Sequence, residues 1–144
     1  MTLLVRSALK VKGIYVLVIR LQKDAIIKVG SLGEKKFANG LYMYVGSAQN
    51  GLEQRIKRHL KKEKRIFWHI DYLLENQAAS IEKIFTKQGE KNLECQIAQQ
   101  ISKKGNPIIN FGCSDCKCKS HLFKIDDDAF IKKSMNLIDP LLFT

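Results

Sequence analysis

GLYMYVGSAQNGLEQRIKRHL, residues 40–60, changes period at its middle, and that change decides the fold. Up to Gly46 the stretch alternates as a strand rich in Tyr and Val: Tyr42, Tyr44 and Gly46 point one way, Leu41, Met43 and Val45 the other. Beyond Gly46, Leu52, Ile56 and Leu60 recur every four residues, so a helix beginning near Gly51 turns that stripe inward. Arg55 and His59 have the same spacing and share a face beside the stripe. A tyrosine-bearing strand thus leads into a helix carrying a guanidinium and an imidazole.

Upstream, GIYVLVIRL at 13–21 is apolar on both alternating faces, as a central strand covered on each side would be. Tyr15 is a polar-tipped residue near its start, either a core tyrosine or a site group paired with Tyr44. AIIKVG at 25–30 reads as a second short strand and SLGEKKFANG as the turn-bearing link to the third. IFWHIDYLLE at 66–75 has helical period, with Ile66, Ile70, Leu73 and Leu74 inward and Trp68, Asp71 and Glu75 flanking. His69 in this run suits packing or the surface better than chemistry. SIEKIFTK at 80–87 is strand-like and suits an edge. EKNLECQIAQQISKKG is a helix with Leu93, Ile97, Ala98 and Ile101 buried, stopped by two lysines, Gly105 and Pro107. Glu94 lies beside that stripe, where a carboxylate needs compensation from a metal ion or from an ion pair with Arg55.

These elements predict an α/β chain of the α+β type: a small, mainly antiparallel sheet of three or more strands flanked by helices. With 144 residues it is expected to be a single domain, residues 1–144, in which 112–144 form a Cys/His-containing C-terminal extension. The net charge of +11 is concentrated where Arg55, Lys57, Arg58, Lys61, Lys62, Lys64 and Arg65 crowd together with Glu63 as the one acid among them. Such density favours a polyanion, and Lys57, Arg58, Lys61, Lys62, Lys64 and Arg65 are the expected nucleic-acid contacts, the alternative being a merely solvated face. A membrane is not an expected partner, because no apolar run approaches ~18 residues and the basic stretch lacks an interfacial helix's apolar face. The N-terminal MTLLVRSALK does not read as a secretory signal, so the expected location is the cytoplasm. Cys113, Cys116, Cys118 and His121 have the compact spacing Cys-x2-Cys-x-Cys-x2-His, suited to a structural zinc or to reduced cysteines packing the extension. Cys95, alone in a helical pattern, reads as a small buried hydrophobe. DDDAFIKKSMNLIDPLLFT reads as a closing segment with a helix ended before Pro140.

Gly13-Ile14-Tyr15, followed by Tyr44-Val45-Gly46, an Arg55 helix, a Glu94 helix and Asn110, resembles the GIY-YIG nuclease superfamily across residues 13 to about 111. Val45 stands where that family usually has Ile. FGCSDCKCKSHLF, from Phe111, further resembles a prokaryotic branch known as a domain of unknown function and sometimes attached to endonuclease III. The resemblance implies a DNA endonuclease with one Mg²⁺ or Mn²⁺ on Glu94. Arg55 would hold the scissile phosphate, Tyr15 would deprotonate water with Tyr44 positioning it, and His59 would share proton transfer. Asn110 would brace the site by hydrogen bonding. Few carboxylates cluster in the core, which suits one metal better than two. The alternative is a noncatalytic nucleic-acid-binding module that keeps the fold and the basic helix and assists a DNA repair enzyme.

Overall fold

In a computed structural model, which describes residues 9–112 and 117–143, the fold is α+β. Six strands form one antiparallel sheet in the order β6-β7-β4-β1-β5-β8. These are β1 (Gly13–Leu21), β4 (Gly40–Ala48), β5 (Ala79–Gln88), β6 (Asn106–Pro107), β7 (Leu122–Ile125) and β8 (Asn136–Ile138). A separate ribbon pairs β2 (Ala25–Lys28) with β3 (Glu34–Phe37), and the helices are α1 (Leu52–Leu60), α2 (His69–Leu74) and α3 (Asn92–Ser102).

Strand β1 is central because both of its faces are apolar. Tyr15, Leu17, Ile19 and Leu21 join the core beneath α1 and α2, with Leu52, Ile56, Ile70, Leu73 and Leu74. Ile14, Val16 and Val18 face the other way, into a second core with Ile97, Ala98 and Ile101 of α3. The period-2 alternation of one strand therefore separates two helical layers. Strand β4 repeats the division, with Tyr42 and Tyr44 in the first core and Met43 and Val45 in the second.

The same architecture brings distant residues to one end of the sheet. The start of β1 pairs with the end of β4, Tyr15 lying opposite Gly46, and also with the end of β5, Tyr15 lying opposite Thr86. Both β4 and β5 exit there, so the two helices that follow them, α1 and α3, begin at the same edge. Gly51, at φ 114, makes the turn into α1 in a conformation that side chains rarely adopt.

Four expectations change. The link at 31–40 contains β3 as well as turns. Strand β5 is internal, because the C-terminal segment forms no α-helix before Pro140 and instead adds β8 beside Ile84–Thr86. The second helix begins only at His69; Ile66 is half-buried, and Asp71 is fully buried rather than flanking. In α1 it is His59, 2% exposed, that is buried with Leu52 and Ile56, whereas Leu60 is half-buried. No helix among the described residues is long and apolar enough to cross a membrane.

Candidate active site

A cleft of about 460 Å³ opens at the sheet end where β1 starts and β4 stops. Tyr15 and Tyr44 from the sheet, Arg55 from α1 and Glu94 from the first turn of α3 all line it. Four residues singled out from separate parts of the sequence thus meet in one concave surface.

Tyr15 is locked from two sides. Its hydroxyl lies 2.6 Å from His59 Nε2, and its ring lies directly over Gly46. A Cβ at position 46 would come within 2.3 Å of the phenol, so the glycine of the Tyr44-Val45-Gly46 triplet is what lets the ring occupy this place. Tyr44 packs at 6.4 Å from Tyr15 and 6.1 Å from His59, measured between ring centres. Burial raises both phenols above their ordinary range, although the Arg55 guanidinium pulls in the opposite direction. The same desolvation, reinforced by Arg58, Lys64 and Arg55 against the opposing pull of Asp71, lowers His59 to about 3. His59 is therefore a neutral imidazole at physiological pH, hydrogen-bonded to the Tyr15 hydroxyl. Its Nδ1 is buried without a hydrogen-bond partner among the described residues.

Arg55 donates from Nη1 to Ser47 O at 3.1 Å and stacks 4.5 Å from the centre of the Trp68 ring. A carbonyl and an aromatic face fix the guanidinium without cancelling its charge. Glu94 is 9% exposed, with His121 Nδ1 3.4 Å from its Oε1. It is the one carboxylate among the described residues lining the cleft.

The cleft also contains residues that the sequence reading did not place there. Phe67, Trp68 and His69 form one wall, and Lys91, Gly112 and His121 stand near Glu94. His69 accepts a hydrogen bond at Nδ1 from the Gly112 backbone, tying α2 to the C-terminal segment. Burial lowers the pKa of His69, in keeping with an acceptor nitrogen. Asn110 departs from its expected bracing role. It is exposed, at φ 65, its backbone N–H bonds Lys119 O, and its side chain is not part of the cleft wall.

The basic stretch is also redistributed. Arg58 grips the buried Asp71 carboxylate with both terminal nitrogens, at 3.0 and 2.8 Å. Lys62 Nζ donates to three carbonyls, those of Leu74, Asn76 and Ala79. Lys64 bonds the carbonyls of His59 and Lys61 at the end of α1, Lys57 pairs with Glu53 at 3.1 Å, and Arg65 lies 5.6 Å from the Phe67 ring. Only part of this cluster therefore faces outward. Arg58 and Lys64 are half-buried and, with Lys62, hold the fold together, whereas Lys57, Lys61, Lys62 and Arg65 remain exposed.

Two members of the expected cysteine cluster, Cys118 and His121, lie among the described residues and meet Cys95 of α3, their ligand atoms all within 4.8 Å of one another. Cys113 and Cys116 lie outside the described residues. That group could hold a metal ion. Cys95 is half-buried rather than part of the apolar stripe. His121 belongs to both this group and the cleft.

No curated protein and no solved structure matches the chain. A family model matches residues 14–141, nearly the whole of the structure described above, and the chain accordingly belongs to the family described as Domain of unknown function DUF123.

Proposed function

We propose that the protein is a metal-dependent endonuclease that hydrolyses phosphodiester bonds in DNA, with the Tyr15–Tyr44–Arg55–Glu94 cleft as its active site. The observation that carries this reading is the convergence of a guanidinium, a hydrogen-bonded phenol and a carboxylate in one cleft of a chain with net charge +11. Hydrolysis needs a deprotonated water, neutralisation of phosphate charge and relief of charge on the leaving oxygen. Arg55 meets the second need: held by Ser47 and Trp68, it presents a fixed cation to a phosphate.

Glu94 would hold the metal. Its donor set fits a hard cation, since one carboxylate suits Mg²⁺ or Mn²⁺, which keeps much of its shell as water and phosphate oxygen and demands no all-protein cage. When bound, such an ion supplies Lewis-acid polarisation of the phosphate and a positive potential that favours anionic oxygens nearby. Tyr15 would take the proton from water as a phenolate, its own phenol proton leaving towards His59 Nε2, 2.6 Å away. Its phenol pKa is raised by burial, so basicity at neutral pH depends on cations close by, of which Arg55 is one. His59 keeps the phenol aimed, and Tyr44 remains a neutral hydroxyl that positions water or phosphate. Resemblance to a branch sometimes attached to endonuclease III supports a place in DNA repair or processing, beside a repair enzyme.

The test is incubation with labelled single-stranded, duplex, flap and branched DNA, with Mg²⁺ or Mn²⁺ and with chelator. Cleavage of at least one form that stops with chelator is expected. Binding without cleavage of any form would instead leave the noncatalytic module.

The Cys95–Cys118–His121 group supports a second, softer metal, and zinc fits two thiolates and an imidazole. The Glu94 carboxylate beside His121 resembles the carboxylate partners that orient metal-bound imidazoles. About one zinc per purified chain is expected by elemental analysis, and Cys95→Ser should lower it. A metal-free, equally stable preparation would reduce the group to packing.

A further inference from the structure

One part of the cleft wall is made of two exposed aromatic rings, a costly use of surface unless something covers them. Phe67 is 66% exposed and Trp68 36% exposed, and both line the cleft that holds Arg55 and Glu94. They are not loose. Both backbone N–H groups donate to Asp71 Oδ2, at 2.9 and 3.0 Å, and Asp71 is itself clamped by Arg58. The Arg58 guanidinium lies 4.3 Å from the centre of the Trp68 ring and 5.5 Å from that of Phe67, so the rings rest on a fixed cation. The two rings meet at 53° with centres 6.5 Å apart, tilted rather than stacked on each other, with the Arg65 guanidinium 5.6 Å from the Phe67 ring.

We propose that Phe67 and Trp68 form a stacking ledge for an unpaired nucleobase, so that the substrate is DNA with a single-stranded, flapped or bulged nucleotide next to the bond addressed by Arg55. This rests on the cleft being the site of phosphodiester chemistry. A planar base has a π-face that an exposed ring can cover, and Arg55, 4.5 Å from the centre of the Trp68 ring, places a phosphate-binding cation within a nucleotide's reach. In a fully paired duplex both base faces are already stacked, and presenting one to the ledge would require extrusion at a cost of a few kcal/mol. The ledge therefore selects unpaired positions while the cations supply affinity for phosphate.

Trp68 is the only tryptophan, so its fluorescence reports the ledge directly. The experiment titrates the full chain, without divalent metal, against a single-stranded oligonucleotide, a duplex with a short bulge and the fully paired duplex. Quenching and tighter binding are expected for the first two. Phe67→Ala should weaken binding to unpaired DNA by about 5- to 100-fold, the range expected for loss of one base-stacking contact. It should leave paired-duplex binding within about twofold, and Phe67→Tyr should restore the preference. Because Phe67 is largely exposed, its truncation should melt with the parent, and the melt is recorded alongside. Equal binding of paired and unpaired DNA, with Phe67→Ala indistinguishable from a folded parent, would overturn the ledge whether or not the protein cuts. Ledge-dependent binding in a protein that cuts nothing would instead overturn the nuclease reading and leave the ledge standing.

Discussion

Arg55 and Arg58 stand three residues apart on one helix and stack on the same Trp68, at 4.5 and 4.3 Å, yet they belong to different regions of the molecule. Arg58 faces the clamp behind the cleft, where the fully buried Asp71 takes both of its terminal nitrogens. Arg55 faces the cleft, where it meets a backbone carbonyl and an aromatic ring. The clamp cancels charge and spends it on order; the cleft keeps charge for a ligand. Density of basic residues in a sequence is thus a poor guide to binding surface, since the same stretch supplies both the anchors of the fold and the cation of the candidate site.

Breaking the clamp should give the largest effect. Asp71→Ala leaves the Arg58 cation without its partner and the Phe67 and Trp68 amides without their acceptor, and it should cost about 3–5 kcal/mol in chemical denaturation. Arg55→Ala should do the reverse. It should melt close to the parent but cleave about 10²–10³-fold more slowly, as loss of one fixed transition-state donor does. If Arg55→Ala unfolds the chain and Asp71→Ala does not, the two regions are wrongly assigned.

Lys62→Met sharpens the contrast within the basic stretch. It removes the donor that joins the carbonyls of Leu74, Asn76 and Ala79, and it should cost about 1–3 kcal/mol of stability. The exposed Lys61, changed to Met, should leave the melt nearly unchanged and lower the salt dependence of DNA binding by about one phosphate contact.

The last effect is in pH, where a modest slope accumulates over the acidic window. His59 has a folded pKa of about 3 against 6.5 for the unfolded chain, so the unfolded state binds a proton that the folded state refuses. Stability should be complete above pH 6.5 and decline as pH falls towards 3, by at most about 1.4 kcal/mol per unit from this group. Asp71, whose pKa is held below its ordinary value as Arg58 and the Phe67 and Trp68 amides outweigh burial, adds its loss only at the acidic end of that window. Denaturation midpoints of parent and His59→Gln across this range check the slope, which the variant should flatten.

Much of this was legible in the sequence wherever a period ran long enough. Strand β1 and helices α1 and α3 announce themselves by apolar repeats, and Tyr15, Tyr44, Arg55 and Glu94 sit where those repeats deliver them. What was not legible depends on long-range partners. Glu-Lys-Lys-Phe at 34–37 has too few apolar residues to read as a strand, and β8 has only three residues, so the edge assigned to β5 became an interior position. Asp71 reads as a surface acid until Arg58 is brought to it. Cys95 reads as core until the chain returns at Cys118 and His121, and Trp68 reads as an ordinary helix flank until the cleft forms beside it. Asn110 occupies the expected place in the chain, but its left-handed backbone carries the side chain to the surface.

The most direct test of the central claim removes the Glu94 charge at nearly constant volume. Thermal melts, DNA binding and Mg²⁺- or Mn²⁺-dependent cleavage are measured together for the parent and Glu94→Gln. The account predicts a variant that folds, binds DNA at the parent's affinity and no longer cuts. A folded Glu94→Gln protein that cleaves at the parent rate would contradict it and remove this carboxylate from the active site.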